Sequence, residues 1–163
     1  MNIVLAGMPG SGKTTVAGVF KKRGFGVFDT DEQIVKKHGR IADIFANFGE
    51  EKFREIETQT VRELAGLDGI VIATGGGCLL REQNVKLLKQ SGKVVYLRTA
   101  PKTLFKRVEG DTERPLLQGD TFAKINQLFA QRAPVYEGAA DIIIDTDGRS
   151  PEEIADLLME KLQ

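Results

Sequence analysis

The eight residues Gly7-Met8-Pro9-Gly10-Ser11-Gly12-Lys13-Thr14 constrain this chain more than any other stretch. They fit the phosphate-binding pattern G-x-x-x-x-G-K-[ST]. The setting fits as well. Ile3-Val4-Leu5-Ala6 is an apolar run of strand length, and Thr14 to Lys22 places Val16, Val19 and Phe20 on one side of a helix. Glycines between strand and helix let the backbone close around a phosphate chain with its N–H groups inward. The N-terminus of the following helix adds partial positive charge. In such a loop the Lys13 ammonium reaches the β- and γ-phosphates and the Thr14 hydroxyl ligates Mg²⁺.

The rest of the chain alternates in the way this opening demands. Short apolar runs at Gly26–Asp29, Gly69–Ala73, Lys93–Leu97 and Asp141–Asp145 predict four further strands. Helical patterns separate them, which implies an α/β fold with a five-stranded parallel sheet, right-handed crossovers and helices on both faces. Residues 31–66 are helical in pattern with one break, at Gly39. Ile41, Ile44 and Phe45 form one apolar stripe, and Phe53, Ile56, Thr60, Val61 and Leu64 another. That is more helix than one crossover needs, so the segment reads as an inserted cap on the substrate side. A helix over 81–90 follows, then one with Pro101 in its first turn that ends around Val108. Residues 121–133 predict a helix ending at Arg132-Ala133-Pro134. The last helix has Ser150 as N-cap and Pro151 at its first position.

Composition excludes several classes. With 23 Lys+Arg against 23 Asp+Glu and no basic run, nucleic acid is not expected as a partner. A single Cys and a single His rule out an intramolecular disulfide and a His/Cys zinc site. Cys78 reads as a small, partly buried residue, and His38, in Lys36-Lys37-His38-Gly39, as a surface residue at a helix end. No apolar run approaches the roughly 18 residues of a membrane helix. The chain enters its first strand almost at once, leaving no room for a signal peptide, so a cytoplasmic protein is expected. No linker or repeat divides the 163 residues, which suit one domain with a substrate-binding helical region at about 31–66 and a lid at about 109–120.

Several residues beyond the loop carry chemistry. Asp29 and Asp31 stand two apart at the end of the second strand, and in extended chain both carboxylates project the same way. One can sit near Mg²⁺ while the other accepts a hydrogen bond from a substrate hydroxyl; alternatively Asp31 simply caps the next helix. Arg54 stands three residues before Glu57, a spacing that equally suits a solvated ion pair. Thr74-Gly75-Gly76-Gly77 ends the third strand, and three glycines there permit close approach of a ligand to the backbone. The polar, glycine-bounded stretch 109–120 reads as a loop of the sort that closes over a phosphoryl-transfer site; Arg114 within it can stabilise transferring charge, or else is simply a solvated loop arginine.

Taken in order, these motifs resemble those of the shikimate kinase family, P-loop proteins with a nucleoside-monophosphate-kinase-like fold. The likeness runs essentially end to end. It covers Gly7–Thr14, Asp29-Thr30-Asp31, Phe53-Arg54-Glu55-Ile56-Glu57, Thr74-Gly75-Gly76-Gly77, Arg114-Pro115-Leu116-Leu117 and Arg132-Ala133-Pro134-Val135-Tyr136. The resemblance implies sheet order 2-3-1-4-5 and ATP-dependent phosphorylation of shikimate to shikimate 3-phosphate in aromatic amino acid (chorismate) biosynthesis. It implies that Gly10, Ser11, Gly12, Lys13, Thr14 and Thr15 hold ATP, with Arg149 near the adenine. Thr14 would bind Mg²⁺, with Asp29 assisting through water. Asp31, Arg54, Gly76 and Arg132 would hold shikimate, and Arg114 would arrive with the lid. Lys13, Asp31 and Arg114 are then the catalytic residues. The partners expected are ATP and shikimate alone, with no nucleic acid and no membrane, acting on a monomer.

Shikimate has one carboxylate and three hydroxyls. Arg54 and Arg132 can form charge-assisted bonds to the former, and Asp31 can orient an acceptor hydroxyl and take its proton. Two other readings compete. A gluconate kinase of the same fold would lack a need for Arg54, the three glycines and Arg132. A regulatory GTPase would carry an Asn-Lys-x-Asp element, and the chain has no Asn-Lys pair.

Overall fold

The computed structural model describes residues 1–108 and 121–163. Its five strands are β1 (Asn2–Ala6), β2 (Gly26–Asp29), β3 (Ile70–Ala73), β4 (Gly92–Arg98) and β5 (Ile142–Asp145). All pairings are parallel and the order is β2-β3-β1-β4-β5, as expected. The helices are α1 (Lys13–Lys22), α2 (Thr30–His38), α3 (Ile41–Ala65), α4 (Glu82–Ser91), α5 (Pro101–Val108), α6 (Thr121–Ala139) and α7 (Pro151–Leu162), with a single 3₁₀ turn at Cys78–Leu80.

Alternation along β1 divides the core. Val4 and Ala6 face a cluster that contains Val61 and Leu64 of α3, Leu88 of α4, Leu104 of α5, and Ile125 and Tyr136 of α6. Ile3 and Leu5 face the opposite cluster, with Val16, Val19 and Phe20 of α1 and Ile154 and Leu158 of α7. Both faces of the central strand are therefore dry, which is why it reads as an uninterrupted apolar run. Full burial of each such side chain is worth about 1.5–3 kcal/mol. A third, small cluster of Ile34, Ile44 and Phe53 binds α2 to α3. The inserted cap has its own apolar support.

Two expectations are corrected. The helical segment after β2 breaks at Gly49 as well as at Gly39. Gly49 has φ 85°, inside α3, so two helices meet there at a corner. That left-handed backbone is costly for any residue with a Cβ. The helix expected to end at Pro134 instead runs on to Ala139. Proline inside a helix forfeits one backbone hydrogen bond. Here Ala133, Tyr136 and Ala139 are buried on both sides of it, and that packing outweighs the loss.

The parallel arrangement brings every strand's C-terminal end to one edge of the sheet. The phosphate-binding loop follows β1, Asp29 ends β2, the three glycines follow β3, and Arg149 follows β5. That edge is where an open α/β sheet presents ligands to its loops.

Candidate active site

The loop between β1 and α1 is built to meet an anion. Gly12 caps α1 in the left-handed region, at φ 99°, and offers no side-chain hydrogen bond to the first turn, which also has no acidic residue. The orphan amides of that turn are left to a ligand, and the helix dipole favours a negative one. The Lys13 ammonium folds back onto the Gly7 carbonyl and lies 3.5 Å from that of Met8. Ser11 is buried, and its hydroxyl finds no partner among the described residues.

A cavity of about 1030 Å³ opens from this loop along the sheet edge. Gly10, Ser11, Gly12, Lys13, Thr14 and Thr15 line it on one side, Asp29, Asp31, Gly75 and Gly76 on another. Arg107, Arg149 and Pro151 line it as well. Arg107 escaped the sequence reading because a basic residue in a helix's last turn is commonplace. In the fold its guanidinium donates to the Gly10 carbonyl at 2.8 Å and leans over the loop.

The two aspartates reach the cavity by a route the sequence did not predict. Asp31 is not in extended chain; it lies in the first turn of α2. Asp29, not Asp31, is the cap, its Oδ1 accepting from the Asp31 and Glu32 amides at 2.9 and 3.1 Å. Asp31 is left with its carboxylate directed elsewhere. Burial, and then the neighbouring Asp29 carboxylate, raise its pKa, while Lys13 and Arg54 pull it back. Those two cations come from opposite sides, one from the phosphate loop and one from the α3 cap, so Asp31 stands between them.

The three glycines explain how these groups converge. None has the left-handed backbone that would by itself call for glycine. What they supply is empty space. A Cβ on Gly75 would lie 2.6 Å from Asp31 Oδ1, one on Gly76 2.7 Å from Arg132 Nη1, and one on Gly77 2.8 Å from Arg54 Nη1. Each glycine seats one of the three charged residues that the sequence reading assigned to the acceptor. The seats are themselves fixed to the sheet. Thr74 donates both its amide and its hydroxyl to the Leu5 carbonyl of β1, at 3.1 and 2.9 Å. The Gly75 amide donates to Thr30 Oγ1 at 2.8 Å. Thr30 and Thr74, both buried, are positioning residues with no motif of their own.

Arg54 is held from behind. Its Nη1 donates to Glu57 Oε1 at 2.9 Å, and its guanidinium lies 5.2 Å from the Phe53 ring centroid. Glu57 is only 1% exposed, so this is not the solvated pair that the spacing alone allows. Burial raises the pKa of Glu57 against the opposing hydrogen bond from Arg54. Cys78 is buried beside them, and burial, then Glu57, push its thiol well above the ordinary range, so it is inert. His38 is exposed at the end of α2, as expected. Arg114 lies outside the described residues.

The model of one family, "Shikimate kinase", matches residues 9–163. The chain belongs to the shikimate kinase family. It is 43% identical to the shikimate kinase of Thermodesulfovibrio yellowstonii, over 99% of this chain and 95% of that one. It is 45% identical to that of Symbiobacterium thermophilum, over 100% and 97%. Among solved structures, a shikimate kinase from Acinetobacter baumannii in complex with shikimate superposes with a TM-score of 0.90, at 36% identity over 99% of this chain and 92% of that one.

Proposed function

We propose that this chain phosphorylates shikimate from ATP, giving shikimate 3-phosphate, at the cavity between the phosphate-binding loop and the three glycines. The observation that carries the reading is the convergence of one carboxylate and two guanidiniums, from α2, α3 and α6, on consecutive glycines one strand away from that loop. A phosphoryl acceptor with a carboxylate and hydroxyls suits this set. Arg54 and Arg132 bind the carboxylate through charge-assisted bonds, and Gly76 lets the ring approach the backbone. Asp31 accepts the hydrogen of the hydroxyl to be phosphorylated and takes its proton as the new P–O bond forms. Its raised pKa favours that transfer.

Phosphoryl transfer needs mainly positioning and charge neutralisation. Gly10 to Thr15 cradle the nucleotide phosphates, Lys13 neutralises the γ-phosphoryl group, Arg114 adds charge from the 109–120 segment, and Arg149 borders the base. Among the described residues no group of three or more His, Cys, Asp or Glu could hold a metal ion. A magnesium ion does not require one, since it keeps most of its waters and takes one or two protein oxygens. Thr14 and Asp29 both line the cavity and supply hard oxygen donors for it. When bound, Mg²⁺ would neutralise charge on the nucleotide phosphates. We read all 163 residues as one kinase domain, with acceptor helices at about 31–66 and a lid at about 109–120, working as a cytoplasmic monomer on small molecules alone. The balanced charge argues against a nucleic-acid partner, and no described helix is long and apolar enough to cross a membrane.

ATP consumption measured with shikimate, with gluconate and with neither tests the assignment. ATP turnover that depends on shikimate is expected. Turnover with gluconate instead, or a preference for GTP over ATP, overturns it.

A further inference from the structure

Tyr136 lies one turn beyond Arg132 on α6, on the same face of the helix. It is among the largest fully buried side chains, 2% exposed. Its ring sits in the core 5.2 Å from that of Tyr96. Its hydroxyl does something the ring does not need. It donates to the Gly76 carbonyl at 2.7 Å, across 60 residues of sequence. The Arg132 guanidinium lies against the same glycine: a Cβ on Gly76 would stand 2.7 Å from Arg132 Nη1. Burial raises the pKa of the phenol, so the hydrogen that reaches Gly76 stays in place at neutral pH. Arg132 thus occupies the space left at a glycine whose carbonyl Tyr136 holds.

We propose that Tyr136 is a positioning residue for acceptor recognition: its hydroxyl fixes the Gly76 backbone, against which the Arg132 guanidinium lies, so that the guanidinium is preset for the acceptor's carboxylate. The proposal rests on the reading that Arg132 binds that carboxylate. Tyr136→Phe would keep the core packing and the charge of Arg132 but release the Gly76 backbone against which Arg132 lies. Affinity for a carboxylate-bearing acceptor would fall, because ordering the arginine is then done at the moment of binding. Nucleotide binding, on the other side of the cavity, would not change.

The test is steady-state kinetics of Tyr136→Phe, Arg132→Lys and the double variant, with shikimate and with an analogue lacking the carboxylate. Melting temperatures establish first that each is folded. Tyr136→Phe is expected to raise the KM for shikimate roughly three- to tenfold, as for one lost hydrogen bond, with a smaller change in kcat and none in the KM for ATP. Its KM for the analogue should match the wild type. The double variant should lose less than the product of the single losses, since both act through one group. Multiplying losses, or an equal loss on the analogue, overturns the positioning role while leaving Arg132 as the carboxylate ligand. If Arg132→Lys alone leaves the KM for shikimate unchanged, the underlying reading fails, and the role of Tyr136 with it.

Discussion

A Cβ placed on Gly77 would stand 2.8 Å from both terminal nitrogens of Arg54. Gly77 has φ −98° and ψ 2°, which an alanine adopts without difficulty. The glycine therefore serves the side chain of a residue 23 positions earlier, not its own backbone. Gly75 and Gly76 stand in the same relation to Asp31 and Arg132. A run of glycines that looks like flexible punctuation is a mould for three charged groups.

Alanine at these positions should thus harm function more than stability. In Gly77→Ala the methyl group meets the end of the Arg54 side chain, which must shift while Nη1 keeps its bond to Glu57. The melting temperature should change little, while the KM for shikimate rises about tenfold, as for one lost charge-assisted bond. Gly75→Ala displaces the Asp31 carboxylate and should lower kcat instead. Thermal melts beside steady-state kinetics distinguish these. A large loss of stability with normal kinetics in the surviving folded protein would contradict the mould.

Lys13→Ala addresses the other half of the cavity. The ammonium acts on charge at the transferring phosphoryl group, and removing it should lower kcat by about a hundredfold or more. Lys13 is not part of either apolar cluster. Circular dichroism and melting temperature should therefore stay close to wild type. Near-normal turnover in a folded variant would remove the phosphate-binding assignment.

The two arginines approach one acceptor from α3 and α6. Their planar forks fit a carboxylate in a way that a lysine ammonium does not. Arg54→Lys and Arg132→Lys should each weaken shikimate about ten- to a hundredfold, the worth of one charge-assisted bond at roughly 1.5–3 kcal/mol. ATP binding measured directly by calorimetry should be unchanged. The variants should also discriminate less than wild type against an analogue without the carboxylate. Undiminished discrimination would mean that the two side chains do not form the clamp.

Much of this architecture could be read from local pattern. The apolar runs of β1, β3 and β4 are buried on both faces, so each announces itself without its neighbours. Ser150 and Pro151 mark the start of α7 by cap chemistry alone, and the structure adds the reciprocal Glu153 bond. What escaped depends on distant residues. Gly49 is flanked by helical sequence on both sides, and nothing local says that two helices meet there. Pro134 is a local stop signal overruled by the burial of Ala133, Tyr136 and Ala139. Glu57 looks like a surface charge until the fold encloses it. Thr30, Thr74 and Tyr136 gain their roles from partners 45, 69 and 60 positions away, which no short motif encodes.

Asp31 provides a prediction in which stability and activity move in opposite directions. Burial and the Asp29 charge raise its pKa in the fold above the ordinary 3.8. Between those two values the native state binds more protons than the unfolded chain. Stability then falls as pH rises through that window, and the ionised carboxylate remains a cost at neutral pH. Asp31→Asn removes that cost while keeping the shape. Its melting temperature should equal that of wild type near pH 3.8 or below, and exceed it increasingly as pH rises above that value. Its kcat should nevertheless collapse, because an amide cannot take the proton of the acceptor hydroxyl. Such a trade of stability for activity is common where a charge is held in place for chemistry. Melting curves across pH for the two proteins decide it. A variant less stable than wild type at neutral pH would show that Asp31 holds the fold together through Lys13 and Arg54, and is not held by it against its own electrostatic preference.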